Sequence, residues 1–205
     1  FMLQQTQVKT VIPYFKNFIK EYPCIKKLSK TRQSKLFKNW QGLGYYSRAK
    51  NLKKAAKIIV NNYKAKLPND FEKLKKLPGI GDYTAKAILA IVFNKPIIPL
   101  DGNIERLTKR ILNLKSEEEI QRNNIIKEIK IFGKTKRASD YAQALMEMGA
   151  LICKPKNPYC KKCPITKHCL SYKKKDFKIN SKNKKLIDKF YLATLYKNKN
   201  RILLI

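Results

Sequence analysis

Acidic residues are scarce in this chain. Asp and Glu total 14 against 47 Lys and Arg, which leaves a formal net charge of +33 over 205 residues. That excess is far beyond what solubility needs and favours a polyanionic partner. Long apolar runs are missing as well: none approaches the roughly 18 uninterrupted residues of a membrane-spanning helix, so no membrane partner is expected. No secretory signal is visible, which makes a reducing cytoplasm, in association with the nucleoid, the default compartment. Arginine is rare, with seven residues at positions 32, 48, 106, 110, 122, 137 and 201. Lysine, which dominates, is the weaker choice for bidentate contacts to bases or phosphates. Abundant Lys, Asn, Ile and Tyr also follow from a genome rich in A and T, so charge alone does not establish nucleic-acid binding. Tryptophan and histidine occur once each. Trp40 reads as core and His168 as surface. No long repeat is present.

What the chain does have is concentrated. At 43% hydrophobic composition it can bury one good core or two small ones. Four of its five cysteines fall in one short stretch, Cys153, Cys160, Cys163 and Cys169, spaced Cys-x6-Cys-x2-Cys-x5-Cys. Structural zinc held by four thiolates usually presents two tight knuckles, and here only Cys160 and Cys163 form one. The wider loops suit an iron–sulfur cubane, whose irons each take one thiolate from a different direction. Zinc and a pair of disulfides stay open on spacing alone, the latter disfavoured by the absence of a secretory signal. Cys24, far from the four, reads as a buried free thiol.

The first two-thirds of the chain has the periodicity of short helices. Val8, Val11, Ile12, Phe15, Phe18 and Ile19 recur on one face, ending near Pro23. Leu52, Ala55, Ala56, Ile59 and Val60 mark another helix, preceded by a loop over residues 40–46. Segments 70–77, 82–93, 102–113, 117–131 and 139–152 also read as helical. Residues 173–187 form a basic linker, and residues 188–205 hold two strands around an Asn-Lys-Asn turn. A lone hairpin is marginal in water, so it is expected to open a further domain. The chain begins on Phe1 rather than Met and stops inside a strand-like run, and it reads as a piece cut at both ends.

Two sites carry chemistry. Leu77-Pro78-Gly79-Ile80-Gly81 lies between helical segments, and glycines at i and i+2 permit the positive φ of a tight helix–helix turn. The helix that follows opens with free backbone N–H groups, a natural cradle for phosphate, and Thr84 and Lys86 lie just beyond. Such contacts grip DNA without reading its sequence. Asp101 precedes the segment 102–113. An Asp before Gly-Asn is a good N-cap, and the same position, at the positive end of a helix dipole, keeps a carboxylate ionised.

Taken together, Leu77–Gly81, the segment Leu100-Asp101-Gly102-Asn103 and the cysteine spacing resemble the helix-hairpin-helix DNA glycosylases of the endonuclease III superfamily. Met2-Leu3-Gln4-Gln5-Thr6-Gln7-Val8 and Gly42-Leu43-Gly44-Tyr45-Tyr46-Ser47-Arg48 are similar to its adenine DNA glycosylase branch. The resemblance implies an all-α, two-lobed fold: a helical barrel with the helix-hairpin-helix over residues 1–96, and a cluster domain over 97–172. The strands beyond would begin an α+β domain that recognises 8-oxoguanine.

The cofactor implied is a 4Fe-4S cluster on Cys153, Cys160, Cys163 and Cys169, and the partner is double-stranded DNA with an adenine mispair, bound by a monomer. The implied reaction is hydrolysis of the adenine N-glycosidic bond, with Asp101, Tyr83 and Asn103 catalytic. Lyase members carry Lys two residues after the second glycine of the turn. Here that residue is Tyr83, which cannot form a Schiff base. Gln4, Gln5, Leu43, Tyr45, Gly79, Gly81 and Thr84 would contact DNA, with Gln5, Leu43 and Tyr45 filling the gap left by an extruded base. The resemblance assigns the general acid to a Glu directly ahead of Phe1. Glu105 and Glu147 read as ordinary helix residues, so the chain as it stands is expected to excise little. Two alternatives are a bifunctional pyrimidine glycosylase with lyase activity and an inactive iron–sulfur DNA-binding remnant.

Overall fold

Helix α1, Val8–Glu21, leads into two short helices, α2 (Ile25–Lys30) and α3 (Gln33–Trp40), and then the long α4 (Tyr46–Asn62). A computed structural model describes residues 1–115 and 135–177, together with the backbone of two strands, Leu195–Asn198 and Arg201–Leu204. The predicted helix over 117–131 and most of the linker lie outside the described residues.

The first core packs Met2, Val11, Phe18, Tyr22, Leu28, Leu36 and Trp40 against Ala49 and Ala56 of α4. Trp40 is fully buried, as expected of core, and its indole N–H donates to the Gly44 carbonyl at 3.1 Å. Residues α4 presents on its next face, Ala55 and Ile59, join a second core with Leu74, Leu77, Ile80, Ala85 and Leu89. One helix with small residues on two faces therefore serves both cores.

That second core is made by α5 (Phe71–Lys75) and α6 (Asp82–Ile91). Asp70 caps α5 by accepting the Lys73 N–H at 2.8 Å, and Leu77-Pro78 stops continuation beyond it. Helix α7, Gly102–Leu112, is capped by Asp101 and ends at Asn113 in the left-handed region, φ +51°. Its residue Ile104 forms a third cluster with Leu100, flanked by Leu145 and Met146. Helix α8, Ala138–Glu147, runs into a π-helical turn, Met148–Ile152, that delivers Cys153. Wide turns of this kind occur mostly at functional positions. Two single 3₁₀ turns and a short α9, Leu170–Lys173, complete the cysteine segment. The strands pair antiparallel, with Leu195 opposite Leu204 and Asn198 opposite Arg201.

Several expectations need correction. Helices α2 and α3 were not foreseen: each spans roughly two turns or fewer, too short for apolar periodicity to register. Helix α4 begins at Tyr46, within the predicted loop, because its first turn is polar. Of the apolar stripe on α1, only Val11 and Phe18 are buried, while Val8, Ile12, Phe15 and Ile19 are 46–62% exposed. Cys24 is exposed rather than buried. Among the described residues no helix is long and apolar enough to cross a membrane.

Candidate functional site

Three groups of side chains make up the candidate site. The first is the turn between α5 and α6. Gly79 adopts φ +80°, and a Cβ there would stand 2.7 Å from the Phe1 ring and 2.9 Å from Asn51 Cβ. It is glycine for both conformation and space. Gly81 corrects the expectation of two left-handed glycines. Its φ of −91° suits any residue, and a Cβ would meet nothing within 4 Å. The N-terminal segment seals this turn, since the Gln4 side-chain amide donates to the Gly79 carbonyl at 3.0 Å and to Thr84 Oγ1 at 3.4 Å. Gln4, Gly79 and Thr84 thus form one unit.

The second group surrounds Asp101. Its Oδ1 accepts the backbone N–H of Asn103 at 3.0 Å and of Ile104 at 2.8 Å, and its Oδ2 accepts Asn103 Nδ2 at 3.1 Å. Three donors fix the carboxylate at the positive end of α7. Tyr83, 41% exposed on the first turn of α6, lies within electrostatic reach. Burial, and secondarily the Asp101 charge, push its phenol pKa up, so it stays a neutral hydroxyl at physiological pH. Glu105, one turn on from Asp101, is paired with Lys109 at 2.5 Å, and Glu147 is exposed. Neither carboxyl is placed to serve beside Asp101. Lys86, half-buried, lies over the Phe71 ring at 5.7 Å.

The third group is the cysteine segment. Cys153, Cys160, Cys163 and Cys169 all line one pocket, walled by Leu107, Ile111, Ile152 and Ile165, and none is disulfide-bonded. The Cys160 thiol pKa is raised, by burial first and then by the other three sulfurs. Yet among the described residues no three His, Cys, Asp or Glu side chains converge closely enough for a single metal ion. What the four cysteines share is therefore the lining of one pocket.

Two arginines of α7 that sequence reasoning left unassigned tie that helix to the cysteine segment. Arg106 donates from Nη2 to Asn103 Oδ1 at 2.9 Å and to the Gly149 carbonyl at 2.6 Å, and from Nε to the Cys153 carbonyl at 2.9 Å. Asn103 therefore faces Asp101 with its amide nitrogen and Arg106 with its oxygen. Gly149 permits this approach, because a Cβ on it would sit 2.8 Å from the Asn103 backbone oxygen. Arg110 donates to the Lys154 carbonyl at 2.7 Å and the Pro155 carbonyl at 2.9 Å, with Cys153 Sγ at 3.5 Å. The signal in the sequence was rarity: a lysine-rich chain that keeps arginine at a position has use for its planar fork.

The remaining candidates divide. Gln5 and Tyr45 are exposed and occupy the left-handed region, φ +59° and +46°. Leu43 does not join them. It is 6% exposed and packs in the first core, because its carbonyl and that of Gly44 are drawn inward by Arg48. Between the cysteines, Lys156, Lys161, Lys162 and Lys167 are exposed, while Lys154 stacks on Tyr159 at 4.5 Å. His168 is exposed.

Comparison with known proteins meets this geometry. A family model described as HhH-GPD superfamily base excision DNA repair protein matches residues 1–132. The adenine DNA glycosylase of Buchnera aphidicola subsp. Schizaphis graminum is 38% identical over 205 residues, covering 96% of this chain and 59% of that protein. The adenine DNA glycosylase of Homo sapiens is 34% identical over 175 residues, covering 82% of this chain and 31% of that protein. The chain thus spans 59% of the length of that Buchnera relative, and 58% of the adenine DNA glycosylase of Buchnera aphidicola subsp. Baizongia pistaciae, to which it is 43% identical. Among solved structures, a thermostable thymine-DNA glycosylase superposes with a TM-score of 0.72 at 26% identity, covering 84% of this chain and 81% of that one. A non-covalent endonuclease III–DNA complex gives 0.70 at 24% identity, covering 85% of this chain and 81% of that one, a likeness of fold alone.

Proposed function

The chain belongs to the HhH-GPD superfamily of base excision DNA repair proteins, and from that membership we propose that it carries the catalytic region of an adenine-specific DNA N-glycosylase. Its substrate is double-stranded DNA in which adenine is mispaired with 8-oxoguanine or guanine, and the reaction is hydrolysis of the adenine N-glycosidic bond. The names of the similar proteins from Buchnera and Homo sapiens support the choice of adenine.

The observation that carries the reading is Asp101, held by three donors and accompanied by Tyr83 rather than a lysine. Cleavage of an N-glycosidic bond passes through a cation-like sugar, which a fixed carboxylate stabilises without reorganising. The C1′–N9 bond breaks, its electron pair leaves with protonated adenine, and water supplies the hydroxyl that completes the sugar. Resemblance assigns the proton to a Glu directly ahead of Phe1. Tyr83 has no amine to condense with the sugar, so the reaction stops at the abasic site. Asn103 fixes the second carboxylate oxygen.

DNA is gripped through phosphate at the N-terminus of α6. Nothing inside the protein needs glycine at Gly81, and a bare backbone there admits a phosphate closely. Gln5 and Tyr45 are the exposed side chains that enter the duplex when adenine is extruded; Leu43 supports them from the core. Cys153, Cys160, Cys163 and Cys169 hold a 4Fe-4S cluster, which supplies order to the cysteine segment rather than chemistry. Exposed Lys161 and Lys162 meet phosphates. The strand pair begins a domain that reads 8-oxoguanine, and the protein works as a monomer on the nucleoid.

The test is product analysis on a duplex carrying adenine opposite 8-oxoguanine, with a glutamate placed ahead of Phe1. Free adenine should appear, the strand should break only on alkali treatment, and borohydride should trap no protein–DNA adduct. A trapped adduct, or preferential release of an oxidised pyrimidine, would turn the assignment to a bifunctional lyase.

A further inference from the structure

Arg48 is a charged side chain buried at 7% exposure, and among the described residues its hydrogen-bond partners include no carboxylate. Burying a cation without a carboxylate partner is costly, so the acceptors that hold it matter. The two N–H groups of Nη1 lie within hydrogen-bond reach of the Met2 carbonyl at 2.9 Å, the Phe1 carbonyl at 3.4 Å, the Gln4 carbonyl and Thr6 Oγ1 at 3.0 Å. Nη2 donates to the Leu43 carbonyl at 3.0 Å and the Gly44 carbonyl at 3.3 Å. One arm holds the N-terminal turn and the other holds the loop ahead of α4.

The tips of these two segments are Gln5 and Tyr45, both exposed and both in left-handed backbone. Non-glycine residues in that conformation are strained and persist only where their surroundings over-determine them. Here one planar group claims acceptors on either side of Gln5 and the two carbonyls that lead into Tyr45. The guanidinium also lies 5.5 Å from the Tyr45 ring and 5.6 Å from the Trp40 ring, so an exposed aromatic is steadied from beneath and the cation is anchored to the core.

We propose that Arg48 is a positioning residue that locks Gln5 and Tyr45 at one fixed separation, so that the two enter the duplex together when a base is extruded. This rests on the DNA-repair function proposed for the chain. Lysine could not substitute, because a point charge cannot serve two diverging rows of carbonyls.

The 205-residue chain tests this with and without DNA. In the free protein, Arg48→Lys should speed amide hydrogen exchange by about tenfold or more at residues 2–6 and 43–46, leaving α5 and α6 unchanged. Unchanged exchange in both segments overturns the proposal. On a duplex with 2-aminopurine opposite 8-oxoguanine, the fluorescence rise that reports extrusion should fall at least about tenfold, since small misplacements are costly. Affinity for undamaged duplex should stay within about twofold, because phosphate contacts at α6 are untouched. Equal losses in extrusion and undamaged-duplex affinity would make Arg48 a general charge and overturn the proposal. Thr6→Val removes one acceptor and leaves every carbonyl in place. It should show the same selective loss at roughly two- to tenfold, the scale of one hydrogen bond. Wild-type extrusion by Thr6→Val also counts against it. Should the unsubstituted chain produce no fluorescence rise, the base-excision reading fails, and the exchange data still decide whether Arg48 organises the two segments.

Discussion

At the scale of single residues, Asp101 performs two tasks that substitution separates. Asp101→Asn keeps the cap at Oδ1 but turns an amide donor toward Asn103 Nδ2, so it should cost about one hydrogen bond, roughly 0.5–1.5 kcal/mol, whereas Asp101→Ala should lose about 1 kcal/mol more with the cap itself. The cap was legible because Asp-Gly-Asn ahead of an apolar-periodic segment is a local signal. Trp40 in the core was legible for a similar reason. Leu43 was not. A leucine between two glycines looks like a loop tip, and only Arg48, pulling the Leu43 and Gly44 carbonyls inward, turns it toward the core. Arg106 was equally hidden, since its partners at Gly149 and Cys153 come from a sequence-distant segment.

At the scale of elements, the two glycines of the turn between α5 and α6 make opposite predictions. Gly79→Ala forces a side chain into φ +80° with its Cβ 2.7 Å from the Phe1 ring. It should destabilise the fold by about 1–3 kcal/mol, read from chemical denaturation. Gly81→Ala meets open space at an ordinary φ, so its melting temperature should match the parent, while DNA affinity drops as the added methyl holds phosphate off. Equal affinity in Gly81→Ala would remove α6 as the phosphate site. The elements themselves were readable where apolar periodicity ran beyond two turns, as in α4 and α6. They were not readable in α2 and α3, nor in the π-turn before Cys153, which departs from the ordinary helical period. The α1 stripe was correctly helical, but burial of a stripe depends on a partner that periodicity does not supply.

At the scale of the whole molecule, charge and cysteines set the behaviour. A net charge of +33 makes duplex binding strongly salt-dependent. Replacing Lys161 or Lys162 with Ala should flatten the slope of log affinity against log salt by about one for each phosphate no longer neutralised. An unchanged slope would place both lysines away from DNA. Stripping the proposed cluster should raise hydrogen exchange across residues 153–169, whose four cysteines line a single pocket, and leave the first two cores protected. Composition pointed to a polyanion, the cysteine spacing to a common centre and the glycine turn to phosphate. What none of these could supply was how the cysteine segment seats on α7, which the Arg106 and Arg110 contacts set in three dimensions.

The account turns on a carboxylate at Asp101 acting on the sugar of an extruded adenosine, and a single-turnover rate tests that directly. With a glutamate ahead of Phe1, adenine release from a duplex with adenine opposite 8-oxoguanine is compared between the parent and Asp101→Asn at saturating protein. The expected result is a loss on the order of a hundredfold or more, with the protein still fully folded at the assay temperature and duplex affinity unchanged. Release by Asp101→Asn at the parent rate would contradict it.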